Sequence, residues 1–108
     1  MVLDKKALNL EMLRIAGFTC TGGIWTYPDG VDVDNGVPFF PGSLDECITW
    51  IFPKLYHIDI ICNIYNDNCI VYVYKDVNHY ESYSADGITP ALAFCLAVKK
   101  LIVSLDKE

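Results

Sequence analysis

Arginine is almost missing from this chain. Arg14 is the only one among eight Lys and Arg residues, which stand against 14 Asp and Glu, and the net charge is −6. From Ile15 to Pro53 there is no Lys or Arg at all, while Asp29, Asp32, Asp34, Asp45 and Glu46 fall in that span. A groove for nucleic-acid phosphates needs clustered cations, so direct DNA or RNA binding is not expected. Long apolar runs are missing too. The eight residues Ala91 to Val98 fall well short of the ~20 that a membrane helix needs. The start, Met1-Val2-Leu3-Asp4-Lys5-Lys6, lacks the apolar core of a signal peptide. The expectation is a cytoplasmic protein with no membrane contact.

Catalytic motifs are also absent. There is no G-x-S-x-G, no P-loop and no G-x-G-x-x-G. Gly22-Gly23 is too short to cradle a phosphate. The acidic stretch Asp29 to Gly36 fails as a calcium loop, because Gly36 comes too early and Ser43 stands where a bidentate Glu belongs. No cysteine pair has C-x-x-C spacing. The five cysteines, Cys20, Cys47, Cys62, Cys69 and Cys95, read as reduced core thiols. His57 with Asp59, and His79 with Glu81, would each face one side of a strand. Two ligands do not close a zinc site, and the chain has no third His. We therefore expect no enzyme, no cofactor and no metal.

What is present is a small apolar domain. Of the 108 residues, 53% are hydrophobic, enough for one core and one domain spanning residues 1–108. Asp4 to Ala16 reads as a helix capped by Asp4, with Leu8, Met12, Ile15 and Ala16 on one face and Gly17 ending it. Phe18 to Gly23 reads as a loop. Ile24 to Tyr27 has strand composition, and Pro28-Asp29-Gly30 turns it toward a short return strand at Val31 to Asp34. Ser43 opens a second helix through a capping box with Glu46. That helix buries Leu44, Cys47, Ile48 and Ile51, and stops or kinks at Pro53.

His57 to Asp86 reads as a three-strand meander broken near Asn66 and Val77. With two-residue turns, Ile60, Cys62, Ile64, Val71 and Val73 share one face. Ile61, Tyr65, Ile70, Tyr72, Tyr74 and Tyr83 share the other. Both faces are apolar, so either helices cover both or one face meets a partner. Thr89 caps and Pro90 starts a last helix that is apolar on most sides. The sum is α+β: a three-strand antiparallel meander and a short N-terminal hairpin packed with three helices, in an α/β/α-type sandwich. The candidate binding residues are Tyr65, Tyr72, Tyr74 and Tyr83, since tyrosines give apolar area with a polar tip.

Three segments carry a resemblance. Ala7-Leu8-Asn9-Leu10-Glu11 runs into Ala16-Gly17-Phe18. Ser43-Leu44-Asp45-Glu46-Cys47 runs into Trp50-Ile51-Phe52-Pro53-Lys54-Leu55. The third is Thr89-Pro90-Ala91-Leu92-Ala93-Phe94-Cys95-Leu96-Ala97. Together they resemble the phage ABA sandwich domain family of phages, prophages and cyanobacterial genomes. That resemblance implies a sheet between helical layers and carries no catalytic residue. It implies a small accessory protein that binds a host or phage protein. The alternative reading is a sponge for a nucleotide signal that stacks on the tyrosines. The expected partner is a protein, or a second copy meeting the first through the tyrosine face.

Overall fold

The computed structural model describes residues 4–34, 36–63, 65 and 67–106. Helix α1 spans Lys5–Ala16. Asp4 accepts from the Lys6 and Ala7 N–H groups, and Gly17 closes the helix at φ 99°, where a Cβ would be strained. Leu8, Met12, Leu13 and Ala16 are buried, while Ile15 lies at the margin of the core.

The segment after α1 is a strand rather than a loop. Strand β1, Thr19–Thr21, pairs antiparallel with β2, Ile24–Thr26, through the Gly22-Gly23 turn. The short hairpin exists, but its second strand precedes Ile24. The expected return at Val31 to Asp34 makes only one bridge, Thr26 to Asp32. Both glycines have positive φ, which permits the tight turn on the N-terminal side.

Helix α2 spans Leu44–Trp50 and leads into a 3-10 turn at Phe52–Lys54 that holds Pro53. Ser43 Oγ accepts the Glu46 N–H at 3.3 Å. The reciprocal half of the capping box is replaced: Glu46 Oε2 instead accepts the Trp50 indole N–H at 3.2 Å. Cys47 within the helix and Ile51 just after it are buried, but Ile48, one residue round from Cys47, is exposed.

Strands β3 (His57–Asn63), β4 (Asn68–Asp76) and β5 (His79–Asp86) form the meander in sequence order. The β3–β4 register pairs Ile60 with Val71 and Ile58 with Val73, which keeps the expected faces. The connection between them is longer than two residues by an even number, so the parity survives. The expected position of Ile64 lies outside the described residues. The β4–β5 connection behaves differently. A bulge between Tyr74 and Asp76 shifts the register by one, so Val71 opposes Tyr83 and Tyr74 opposes Tyr80. One extra residue on one strand moves every later side chain to the other face. Tyr83 therefore belongs with Val71, and Tyr80 takes the place expected for it.

Helix α3, Pro90–Asp106, lies across β4 and β5. Thr89 Oγ1 accepts the Leu92 N–H at 3.3 Å and caps it. Ala93, Phe94, Cys95, Ala97, Val98 and Leu101 are buried. Because α3 is apolar around most of its girth, its second side takes α1, α2 and the 3-10 turn Phe40–Gly42. Those elements pack on α3, and among the described residues no helix covers the far side of the meander. The three helices, the three-strand sheet and the short hairpin are those expected, but the layers run sheet, α3, then α1 with α2; the sheet does not lie between helical layers, because α1 and α2 pack on α3. Asn9, a buried polar residue, ties these layers: its side chain donates to Pro38 O at 2.9 Å and accepts from the Phe40 N–H at 2.8 Å.

Not all cysteines are free. Cys62 and Cys69 face each other across β3 and β4 with Cα atoms 4.3 Å apart and are joined as a disulfide. Cys20, Cys47 and Cys95 remain free thiols.

Candidate functional site

The antiparallel registers sort the meander into two faces. On the helix side stand Ile58, Ile60, Val71, Val73 and Tyr83, all in or against the core. On the far side, rows of three residues cross the sheet. His57, Tyr74 and Tyr80 form one row, and Asp59, Tyr72 and Ser82 the next. Ile61, Ile70 and Ser84 form the third, and Asn63, Asn68 and Asp86 close the face. None of these side chains belongs to the core cluster.

The first row is an aromatic ladder. Tyr74 and Tyr80 stack with ring centroids 5.2 Å apart and planes at 27°. His57 tilts against Tyr74 at 5.4 Å. Such cross-strand neighbours stabilise each other beyond their area. Tyr80 and Ile61 are each 56% exposed, and Tyr72, Tyr74 and Ile70 are half-buried by their neighbours. The far row is polar, with the Asn68 amide donating to Asp86 Oδ1 at 3.0 Å. The face therefore has an aromatic end, an aliphatic middle and a polar margin.

Of the four tyrosines expected to bind, Tyr72 and Tyr74 stand on this face. Tyr65 lies beyond the end of β3 and is 91% exposed. Tyr83 faces the helices and lines a surface groove with Leu96, Lys99 and Lys100. Lys100 Nζ donates to Ser82 O at 2.8 Å and lies 3.8 Å from Glu81. The residue that sequence reasoning missed is Tyr80. Its one signal was the Asp76-Val77-Asn78 turn, where Asp76 Oδ1 accepts the Asn78 N–H at 2.8 Å.

The paired polar residues form local ties. His57 Nε2 lies 3.1 Å from Asp59 Oδ1, on the same side as expected. His79 Nδ1 lies 2.8 Å from Asp76 Oδ1. Among the described residues no three His, Cys, Asp or Glu gather to hold a metal ion. The closest thiols, Cys47 and Cys95, lie with sulfurs 4.0 Å apart in the core. The Cys47 thiol against Cys95, together with burial, pushes the Cys95 thiol up, far from a reactive thiolate. No helix among the described residues is long and apolar enough to cross a membrane. Set against known proteins, the chain matches no family model, no curated protein and no solved structure.

Proposed function

We propose that this protein is a small non-enzymatic binding module that docks a protein through the uncovered face of its meander. The observation that supports this is the face itself: two stacked tyrosines, Tyr72, Ile61 and Ile70 lie outside the core on the side away from every helix. Contiguous apolar patches on a monomer mark interfaces. The simplest occupant is a second copy, because a two-fold axis lets one patch serve both subunits. Few charges oppose such pairing, since Asp59 and Asp86 are the acids of the four rows and no Lys or Arg stands among them. The phage-type setting, with a host or phage protein as partner, rests on the resemblance of the three segments.

Nucleotide capture is the weaker reading. Stacking on Tyr74 and Tyr80 suits a base, but the same lack of cations leaves phosphates unmatched. The cytoplasmic setting belongs to the proposal as well, and the Cys62–Cys69 bond weighs against it, since such bonds persist mainly in oxidising compartments. Light scattering tests the docking face. Wild-type protein should form a dimer at micromolar concentration. Tyr72→Glu should place an unpaired charge in the interface, costing on the order of 3–5 kcal/mol of association. A wild-type monomer that also retains no protein partner, or a Tyr72→Glu protein that still dimerises, would overturn the reading.

A further inference from the structure

A second feature lies on the far side of the molecule from the meander strands. A cleft of about 560 Å3 opens between the end of β2, the loop before Phe40 and α2. Tyr27, Phe39, Ser43, Glu46 and Trp50 line it. We propose that this cleft binds an alkylammonium cation.

Three aromatic rings and one carboxylate supply the chemistry. Aromatic rings attract organic cations through their quadrupole, and a neighbouring carboxylate adds direct attraction. Glu46 is the charged residue of the lining, and the Trp50 indole N–H holds its Oε2 at 3.2 Å. Among the described residues neither Lys nor Arg lines the cleft, whose lining falls within the cation-free span between Ile15 and Pro53. An anionic ligand would meet Glu46 with nothing to neutralise it. Lys54, the nearest cation in sequence, lies by Gly17 and Pro28 instead. Helix α2 starts at the cleft, but Asp45 and Glu46 in its first turn offset the positive potential of that short helix end.

The rings are held in place before any ligand arrives. Trp50 stacks on Tyr27 with centroids 5.7 Å apart and planes at 19°. The buried ring of Phe18 meets Trp50 edge-on at 5.0 Å and Tyr27 at 5.5 Å. Phe39 lies against Gly42 so closely that a Cβ there would meet its ring at 3.0 Å. Preorganised walls lower the ordering cost of binding. The volume exceeds one ammonium head, so part of an attached chain fits as well.

The cation has two possible sources, a free small amine or a lysine-type side chain of a protein, and the experiment separates them. The probes are choline, its neutral carbon isostere 3,3-dimethylbutanol, and a short peptide bearing one trimethyllysine. The readout is the indole N–H resonance of Trp50, with Trp25 as the internal control. Choline or the peptide should move the Trp50 resonance at millimolar concentration, and the neutral isostere should not. Glu46→Gln keeps an acceptor for Trp50 but removes the charge, and should weaken binding roughly fivefold or more. Phe39→Ala, at an exposed ring, should weaken it by a similar factor without unfolding the domain. Tighter binding of the peptide assigns the site to a protein side chain, and tighter binding of choline to a free amine. A Trp50 resonance that no cation moves, a neutral isostere that binds as well as choline, or a Glu46→Gln protein that binds as wild type would overturn the proposal. Tyr72→Glu, on the meander, should bind the probes normally, so the two proposals stand or fall separately.

Discussion

Strand β4 presents two surfaces from one run of sequence. Val71 and Val73 are fully buried against α3, while Tyr72 and Tyr74, one residue away, sit half-covered on a face that no helix approaches. All four are residues that favour strands and burial. The difference comes from what stands opposite. Helix α3 is apolar on both its sheet side and its other side, so it draws α1 and α2 onto itself and away from the far face. An apolar strand face thus reports that something can cover it, and the helices decide which face they cover.

The largest effect should separate the two faces directly. Val71→Asp places a charge in the core and should leave no folded protein in a circular dichroism melt. Tyr72→Glu, one position on, should keep the monomer's melting profile near wild type and act on association instead. Equal loss of folding in both variants would mean that the far face is as buried as the near one.

Next in size is the bulge. Deleting Lys75 leaves Tyr74 next to Asp76, so Tyr74–Tyr80 and Asp76–His79 can pair in one regular ladder and the faces are kept. Tyr83 should stay on the helix side and Tyr80 on the far side. Glu81 should likewise keep its place near Lys100. We expect a loss of about 1 kcal/mol, from the altered turn alone. Urea denaturation measures it. A deletion that unfolds the domain would show that the faces depend on the bulge residue itself and not on the register of the strands beyond it.

This bulge also marks where the sequence stopped being legible. Caps were readable because each needs one residue type at one place: Asp4 before α1, Gly17 after it, Ser43 before α2, Thr89 before α3. The β3–β4 faces were readable because Ile58, Ile60, Val71 and Val73 alternate and the longer turn preserved their parity. Tyr83 was misplaced because a single inserted residue has no compositional signature. Phe18 to Gly23 reads as loop, yet Thr19 to Thr21 inside it is a strand: all three residues are exposed, so no apolar alternation marks them, and only pairing to β2 makes them one. The cleft around Trp50 was invisible for another reason. Phe18, Tyr27, Phe39 and Trp50 are spread over the chain, and tertiary packing alone brings them together.

A smaller effect concerns the sulfurs on and behind the near face. Native protein should react with a thiol reagent once, at exposed Cys20. Cys47 and Cys95 should join only after unfolding, because both are buried in the core and out of a reagent's reach. Cys62 and Cys69 should react only after unfolding and reduction. Thiol titration in these three conditions should therefore give one, three and five groups in turn. Five reactive groups on unfolding alone would return Cys62 and Cys69 to the reduced state, and with them the case for a reducing compartment.

The smallest effect sits at the bulge end of the aromatic row. His79 Nδ1 lies 2.8 Å from Asp76 Oδ1 and 2.9 Å from Oδ2. An ionised carboxylate only accepts, so Nδ1 carries the proton. The His79 hydrogen bond, and after it the Asn78 N–H, holds the Asp76 carboxyl below the usual carboxylate range. A carboxyl with a lowered folded pKa stabilises the fold above its unfolded value, and that contribution disappears as pH falls toward the folded value. The loss should therefore begin below about pH 5 and grow through the acid range. Asp76 is exposed, so solvent and salt screen the tie and the effect is small. Asp76→Asn should flatten the acid limb of a melting-temperature profile slightly, by lowering its neutral plateau a little while leaving the acid end as in wild type. The change should weaken further in high salt. Because Asp76 pins the turn that carries Tyr80, the tyrosine signal of the far face should respond to acid before the buried Val71 and Val73 side loosens. Simultaneous loss of both would mean that the two faces of β4 are held by one set of contacts after all.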